Sequence, residues 1–351
     1  MKIWKRIKSM LPSEKERLLL EAQEKSRLEA EAEARRKERE KERFILCIDG
    51  GGMRGIIPVV VLIRLEQILR EHGINRSAAS CFDMIAGTST GGLISLSLSC
   101  AEDNTLDTLF NTYLHMGKKI FPQSTGLLHS LVSLASDKYS PEGLDRLLYD
   151  WFGDKPLTNA SIPTMIISYD LASGHDFVMK SWDETEGIKV REAGRATSSA
   201  PTYFPPLRFK NHILIDGGVI ANNPASFAYT EAKKLWPECK KFTILSICTG
   251  ATYHSLSQGM SGIIPWAEHM FPMMSTAQKR SVDYVLNGMP DVDYIRLDQS
   301  LAERVQMDET DPAVLRKLVN FGEKLAGDSN AELEKLAEKF EERYGEKTDA
   351  S

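Results

Sequence analysis

The sequence predicts an α/β fold: a mostly parallel central sheet with helices on both faces, in three layers, preceded by a charged helical arm. Three observations predict it. Short apolar runs of strand length alternate with longer stretches whose apolar residues recur at helical spacing, from residue 44 to residue 344. Two glycine-rich turns, residues 50–55 and 87–91, each follow a strand candidate and open a helix candidate. The 351 residues are 42% hydrophobic and 26% charged, enough for a sizeable core, and no low-complexity linker or internal repeat divides them.

Ile3, Trp4, Ile7, Met10 and Leu11 fall on one helical face, and Lys2, Lys5, Arg6 and Lys8 occupy the rest. That is the pattern of a short interfacial helix giving peripheral membrane contact; the plainer alternative is a staple on the protein's own body. Residues 13–43 read as one long helix. Ser13 with Glu16 makes a capping box, and Glu21–Lys25, Glu31–Arg35 and Glu33–Lys37 are paired at helical spacing. This stretch is either a solvated helix or an arm for self-association into a homo-oligomer. Residues 1–43 hold 14 Lys and Arg against 10 Asp and Glu, a balance of +4 that leaves −9 for the rest of a chain whose net charge is −5. A basic arm on an acidic body points to an anionic partner, most simply a membrane surface, and not to a nucleic-acid polymer.

The folded domain is expected over 44–326, with 327–351 as a C-terminal helix and tail. Its first strand is 44–49, then the glycine loop 50–55, then a helix over 56–72 that stops at Gly73. A strand at 82–86 leads through the turn at Ser89 into an apolar, small-residue helix over 92–100. Strands follow at 164–170, 176–180 and 212–215, then a Gly-Gly turn and a helix over 221–235. Strands at 242–248 and 291–297 and helices over 312–326 and 330–344 complete the domain.

Five cysteines (Cys47, Cys81, Cys100, Cys239, Cys248) form no C-x-x-C pair, which fits reduced, buried thiols in the cytoplasm and disfavours a zinc site. No run of about 18 apolar residues predicts a membrane span. Pro12, Ser13 and Glu14 arrive before any long apolar stretch, so no secretory signal is expected. The expected location is therefore cytoplasmic, against the inner face of the membrane.

The chemistry concentrates at three places. In Asp49-Gly50-Gly51-Gly52-Met53-Arg54-Gly55, consecutive glycines at a helix start turn backbone N–H groups toward one point. That is a candidate oxyanion hole, centred on the amides of Gly51, Gly52 and Met53. The same residues formally satisfy a dinucleotide G-x-G-x-x-G pattern, but the acid at the right distance, Glu71, ends a helix and not a strand. In Gly87-Thr88-Ser89-Thr90-Gly91, a strand-to-helix turn lifts the Ser89 hydroxyl clear of the backbone, the form of a nucleophile elbow. A base is needed. None of the seven histidines lies in a triad-like loop: His72 ends a helix and His212 starts a strand. Asp216, followed by Gly217 and Gly218, ends a strand and is expected at the carboxyl edge of the sheet beside Ser89 and the glycine loop. In a partly dry pocket an aspartate acts as base and orienter together. The plainer role for Asp216 is to cap the helix after Asn222-Asn223-Pro224.

Taken in order, Asp49–Gly55, Gly87–Gly91 and Asp216–Gly218 resemble the three signatures of the patatin-like phospholipases. Arg195–Phe204, Asp216–Pro224 and Ile244–Gly250 match the family's habit as well, so the resemblance runs from about residue 44 to about 326. It implies an acyl hydrolase of phospholipase A type with a Ser89–Asp216 dyad, no metal and no cofactor. It also implies an oxyanion hole in residues 50–55, with Arg54 beside it, meeting a lipid phosphate or holding the loop by an ion pair. Gly218 replaces the alanine frequent at that position. Within the family, residues 194–204, residues 214–224 and the compact length look most similar to bacterial anti-phage effectors that degrade membrane phospholipid when a cyclic nucleotide binds. That likeness implies a cyclic nucleotide activator, although no stretch announces its pocket.

Two apolar stretches are expected to line or cover the acyl approach: 121–134, and the surface segment 260–274 with Trp266 and several methionines. The alternative for both is ordinary packing under surface loops. Competing functions are a membrane-tethering or assembly protein with an idle site, and a hydrolase of neutral lipids or thioesters.

Overall fold

The computed structural model describes residues 23–27, 41–103, 105–122, 138–184, 187–250, 263–303 and 305–344. Residues 23–27 are helical and exposed, and residues 42–43, expected as the end of the helical arm, are strand; residues 1–22, 28–40 and 123–134 lie outside the described residues. Eight strands form one sheet: β1 (Glu42–Ile48), β2 (Met84–Thr88), β3 (Thr164–Asp170), β4 (His175–Lys180), β5 (Leu207–Phe209), β6 (His212–Asp216), β7 (Lys241–Ile247) and β8 (Val292–Leu297). Their order is β5-β6-β3-β2-β1-β7-β8, with β4 paired to β3 off this path. The segment β3-β2-β1-β7-β8 is parallel, while β4 and β6 run antiparallel to β3, and β5 antiparallel to β6.

Helices are α1 (Ile56–Glu71), α2 (Thr90–Cys100), α3 (Leu106–Ile120), α4 (Glu142–Phe152), α5 (Val190–Thr197), α6 (Ala225–Leu235), α7 (Ile263–Asn287), α8 (Pro312–Asp328) and α9 (Asn330–Tyr344). The alternation of β1 shows how one strand makes two interfaces. Phe44, Leu46 and Ile48 join a core with α1, α2, α8 and α9; Ile45 and Cys47 join a second core with Ala225, Ala228 and Ala232 of α6 and Leu286 of α7. The three-layer expectation therefore holds.

Several boundaries move for identifiable reasons. The first strand begins at Glu42, because β7 supplies Lys241 and Phe242 as partners for Glu42 and Arg43. The helix expected from 221 starts at Ala225, after Pro224, and the Asn223 side chain accepts from the Ala225 N–H at 3.0 Å. Residue 326 is no boundary: α8 runs through it, and α9 packs its fully buried Phe340 against Phe44 and Phe82, with ring centroids at 4.8 and 5.3 Å. Of the stretch 260–274, expected to line or cover the acyl approach, residues 263–274 form the start of the 25-residue helix α7, and residues 260–262 lie outside the described residues. All five cysteines are free and buried. Among the described residues, no helix is long and apolar enough to cross a membrane.

Candidate active site

Strand register assembles the site. Ile48 at the end of β1 faces Gly87 of β2, so the glycine loop and the serine turn leave the sheet side by side. Thr88 pairs with Ile167 of β3, and the next β3 residue, Ser168, pairs with Asp216. Ser89 and Asp216 thus arrive at one level of the sheet on either side of Ser168. This corrects the expected route of Asp216. β6 is antiparallel, so it enters from beyond the carboxyl edge of the parallel strands, with Leu214 opposite Asp170, and stops at that edge with Asp216 opposite Ser168.

The serine turn is tight. Ser89 has φ 56° and ψ −125°, a conformation that disfavours a side chain, and it caps α2 with no side-chain hydrogen bond to that helix. Close approach demands glycine on either side. A Cβ at Gly87 would lie 2.2 Å from the Gly91 carbonyl oxygen, and one at Gly91 would lie 2.1 Å from that of Ile48. The Ser89 N–H donates to Thr197 Oγ1 at 2.8 Å, and the Thr197 hydroxyl donates to the Ile167 carbonyl at 2.5 Å. Thr88 donates to the Ala221 carbonyl at 2.7 Å, tying the strand to the far side of the acidic turn.

Asp216 is 4% exposed and lies beside the Ser89 hydroxyl, which favours its ionised form. It caps the 3-10 turn Gly217–Val219, accepting the Gly218 N–H at 2.7 Å, and does not cap α6. Its own N–H donates to the Ser199 carbonyl at 3.0 Å. Burial pushes its carboxyl up to about 6, against the opposing pull of the Ser89 and Gly218 donors. Segment 195–204 therefore has a structural purpose. Thr197 holds the serine and Ser199 the aspartate, while buried Arg195 pairs with Asp145 at 3.1 Å and donates to the Pro205 carbonyl at 2.8 Å. Two histidines are engaged elsewhere: His212 faces Asp170 at 2.9 Å, and His72 sits between Glu334 and Glu341 at 3.0 and 2.6 Å.

The glycine loop packs against this pair. A Cβ built at Gly50 would meet Ser89 Cβ at 3.1 Å. Three of the expected donors are already used: the Gly50 N–H reaches the Asn222 carbonyl at 3.1 Å, the Met53 N–H the Met307 carbonyl at 2.7 Å, and the Arg54 N–H the Gly51 carbonyl at 3.3 Å. Among the described residues, the Gly51 and Gly52 amides donate to no protein acceptor. Gly52 has φ +59°, and a Cβ there would lie 2.2 Å from the Met307 oxygen, so this position requires glycine twice over. The Arg54 side chain donates to the carbonyls of Gly51 at 3.2 Å and Gly250 at 3.1 Å and so holds the loop through hydrogen bonds; among the described residues it makes no ion pair. Thr249 donates to the Gly50 carbonyl at 2.6 Å.

Beneath the loop, buried Asp49 accepts a two-pronged contact from Arg296 of β8, at 2.9 and 2.8 Å, and an ion pair from Lys279 of α7 at 3.2 Å. Sequence reasoning missed both cations. A charged residue inside the strand run Val292–Leu297 was the available signal for Arg296; nothing marked Lys279. Asp49→Asn is expected to lower unfolding free energy by about 3 kcal/mol, because it strands two buried cations that Asp283 and Asp298, both 3.7 Å from Arg296, only partly compensate. Denaturant midpoints of the two proteins check this.

An apolar cleft of about 80 Å3 opens from Ser89 and Gly52. Leu93, Ile94, Leu144, Leu147, Leu148 and Trp151 line its depth, and Phe121, Tyr203 and Phe204 line one side. Phe121 is the described residue of the expected 121–134 stretch that reaches it. Thr90 is hydrogen-bonded to Tyr113 on its wall. The described residues contain no cluster of His, Cys, Asp or Glu able to hold a metal.

A profile of the patatin-like phospholipases matches residues 46–229, spanning the glycine loop, the serine turn and the acidic turn. The chain belongs to the patatin-like phospholipase family. Patatin-like protein 1 of Arabidopsis thaliana is 33% identical over 80% of each chain. Patatin-like protein 1 of Oryza sativa subsp. indica is 31% identical, again over 80% of each. Probable inactive patatin-3-Kuras 1 of Solanum tuberosum is 27% identical over 82% of this chain and 87% of its own. The solved structure of VipD from Legionella pneumophila aligns with 84% of this chain and 67% of its own at a TM-score of 0.37 and 11% identity. As a patatin-like phospholipase, the protein is a lipid acyl hydrolase.

Proposed function

We propose that Ser89 and Asp216 are a two-residue catalytic centre that cleaves ester bonds of membrane glycerophospholipids. The observation that supports it best is the strand register that sets Ser89 and the buried Asp216 carboxylate on either side of Ser168, with Ser89 at an apolar cleft. Asp216 takes the serine proton as Ser89 Oγ attacks the ester carbonyl carbon. The oxyanion receives the Gly51 and Gly52 N–H groups. Collapse expels the lysophospholipid alkoxide, which takes the proton back from Asp216. Water, deprotonated by Asp216, then attacks the acyl-serine; the C–Oγ bond breaks, Ser89 Oγ takes the proton back from Asp216, and the fatty acid leaves, the acyl chain having occupied the cleft throughout.

A fluorophosphonate probe tests the nucleophile. Wild type should label and Ser89→Ala should not; absent labelling of wild type, or equal labelling of both, overturns the reading. Liposomes followed by mass spectrometry test the substrate. Lysophospholipid and fatty acid support it, and turnover of neutral lipids or thioesters alone replaces it.

The interfacial pattern of residues 1–11 and the +4 balance of the arm support peripheral binding to an anionic membrane, and the charged helix pattern supports assembly through the arm. The right truncation ends at residue 40, since the Lys41 carbonyl accepts from Lys240 at 2.9 Å and β1 starts at Glu42. Deleting 1–40 is expected to leave hydrolysis of a soluble short-chain ester within about twofold and to cut hydrolysis of anionic liposomes about tenfold or more. Equal liposome rates and equal oligomer size would remove any role for the arm. Activation by a cyclic nucleotide in anti-phage defence rests on the likeness of residues 194–204 and 214–224 to such effectors. Lipid hydrolysis with and without a panel of cyclic di- and trinucleotides tests it, and unchanged rates across the panel overturn it.

A further inference from the structure

One helix touches both halves of the site through consecutive residues. Gln278 of α7 donates its side-chain N–H to the Val219 carbonyl at 2.8 Å, at the end of the 3-10 turn that Asp216 caps. Lys279, 7% exposed, reaches Asp49 at 3.2 Å, at the start of the glycine loop. Neither residue lines the acyl cleft.

We propose that Gln278 and Lys279 are positioning residues for the reaction, Gln278 fixing the acidic turn and Lys279 fixing the glycine loop. The inference rests on the Ser89–Asp216 reading and adds residues to it that no signature contains. The turn Gly217–Val219 is only three residues long, so its Gly218 N–H points at Asp216 only while the turn is closed. The Gln278 bond closes it from outside. The glycine loop has the same need: Asp49 precedes Gly50 directly, and any drift of the Asp49 carboxylate moves the Gly51 and Gly52 amides. Lys279 and Arg296 hold that carboxylate from two elements, α7 and β8.

The charge environment of Asp216 makes Gln278 testable. Its carboxyl is acted on by the Ser89 hydroxyl and the Gly218 amide. The elements around it bring no further carboxylate or cation among the described residues. β3 offers Ser168 as the cross-strand partner, α5 leads into Ser199, whose carbonyl accepts the Asp216 N–H, and Lys279 of α7 is engaged by Asp49. Loosening the Gly218 donor therefore leaves burial less opposed, and Asp216 holds its proton to higher pH.

On a soluble short-chain ester, Gln278→Met is expected to lower kcat about tenfold, leave KM within about twofold and move the acid limb of the pH–rate profile up by about half a pH unit. Gln278→Glu, with a carboxylate in place of the donor, is expected to move it further. An acid limb in Gln278→Met that coincides with wild type overturns the proposal, however far the rate falls, because a loss of structure alone lowers rate at every pH. If Gln278→Met does not fold, Gln278→Asn, one carbon shorter with its amide kept, must show the displacement, and an unmoved limb there overturns the proposal. The two readings fail separately. A wild type without hydrolysis, or an Asp216→Asn variant at wild-type rate, overturns the dyad; an active wild type whose acid limb ignores Gln278 overturns only the positioning role.

Discussion

Ser89→Gly is expected to abolish turnover and fluorophosphonate labelling while making the protein harder to unfold than Ser89→Ala. Loss of the attacking oxygen removes the covalent route, a fall of about 10,000-fold or more in kcat. The stability gain has a different origin. Serine at φ 56° and ψ −125° carries backbone strain of roughly 1–3 kcal/mol. Alanine keeps that strain, since its Cβ meets the same backbone; glycine relieves it. Glycine also gives the unfolded chain about 0.5–1 kcal/mol more entropy to lose. The expected net advantage of the glycine variant over the alanine variant is therefore about 1 kcal/mol, read as the difference in denaturant midpoints. Both variants lose the hydroxyl beside Asp216, so that loss cancels in the comparison. A Ser89→Gly protein no more stable than Ser89→Ala would mean that the elbow stores no strain.

Much of this arrangement is legible in the sequence because the demands on it are local. A strand followed by Gly-x-Ser-x-Gly can only turn sharply, and the run after it is helical on small, apolar residues. β3 and α9 have the bounds that periodicity expects, Thr164–Asp170 and Asn330–Tyr344. What escaped depends on contacts far apart in the chain. α3 and α4 are amphipathic helices with charged outer faces, and α5 is an eight-residue segment whose Glu192 side chain accepts the Lys189 N–H at 2.9 Å. β5 is three residues long and exists through its pairing with β6. The direction of β6 follows from the register Ser168 to Asp216, which no local pattern encodes. The glycine loop shows the same limit at atomic scale. Its sequence names six candidate residues, but Asn222 and Met307, about 170 and 250 residues downstream, take the Gly50 and Met53 amides, and the Arg54 amide turns back to the Gly51 carbonyl, while those of Gly51 and Gly52 donate to no acceptor among the described residues.

Asp216→Asn separates the catalytic use of this carboxyl from its cost to the fold. Asparagine keeps an oxygen for the Gly218 N–H and a group in reach of Ser89, but it cannot accept the serine proton, so kcat is expected to fall about 10,000-fold. Stability should move the other way. The folded carboxyl is pushed up to about 6 from an ordinary value of 3.8, so between those values the folded state holds more protons than the unfolded one. Wild-type stability from this group is therefore greatest below pH 3.8, declines as pH rises to about 6, and stays low above that. The gap corresponds to roughly 3 kcal/mol at pH 7, and the neutral variant escapes it. Asp170 has the opposite sign, its carboxyl held low by His212 and neighbouring donors against the cost of burial, so absolute profiles mix the two. The difference between variant and wild type isolates Asp216: it should grow as pH rises through about 4 to 6 and be level at neutral pH. The wild-type acid limb of kcat/KM should fall in the same window, near pH 6, because the ionised form that burdens the fold is the form that takes the proton. A stability difference that ignores pH would mean that Asp216 is ionised throughout and that its burial exerts no such pressure.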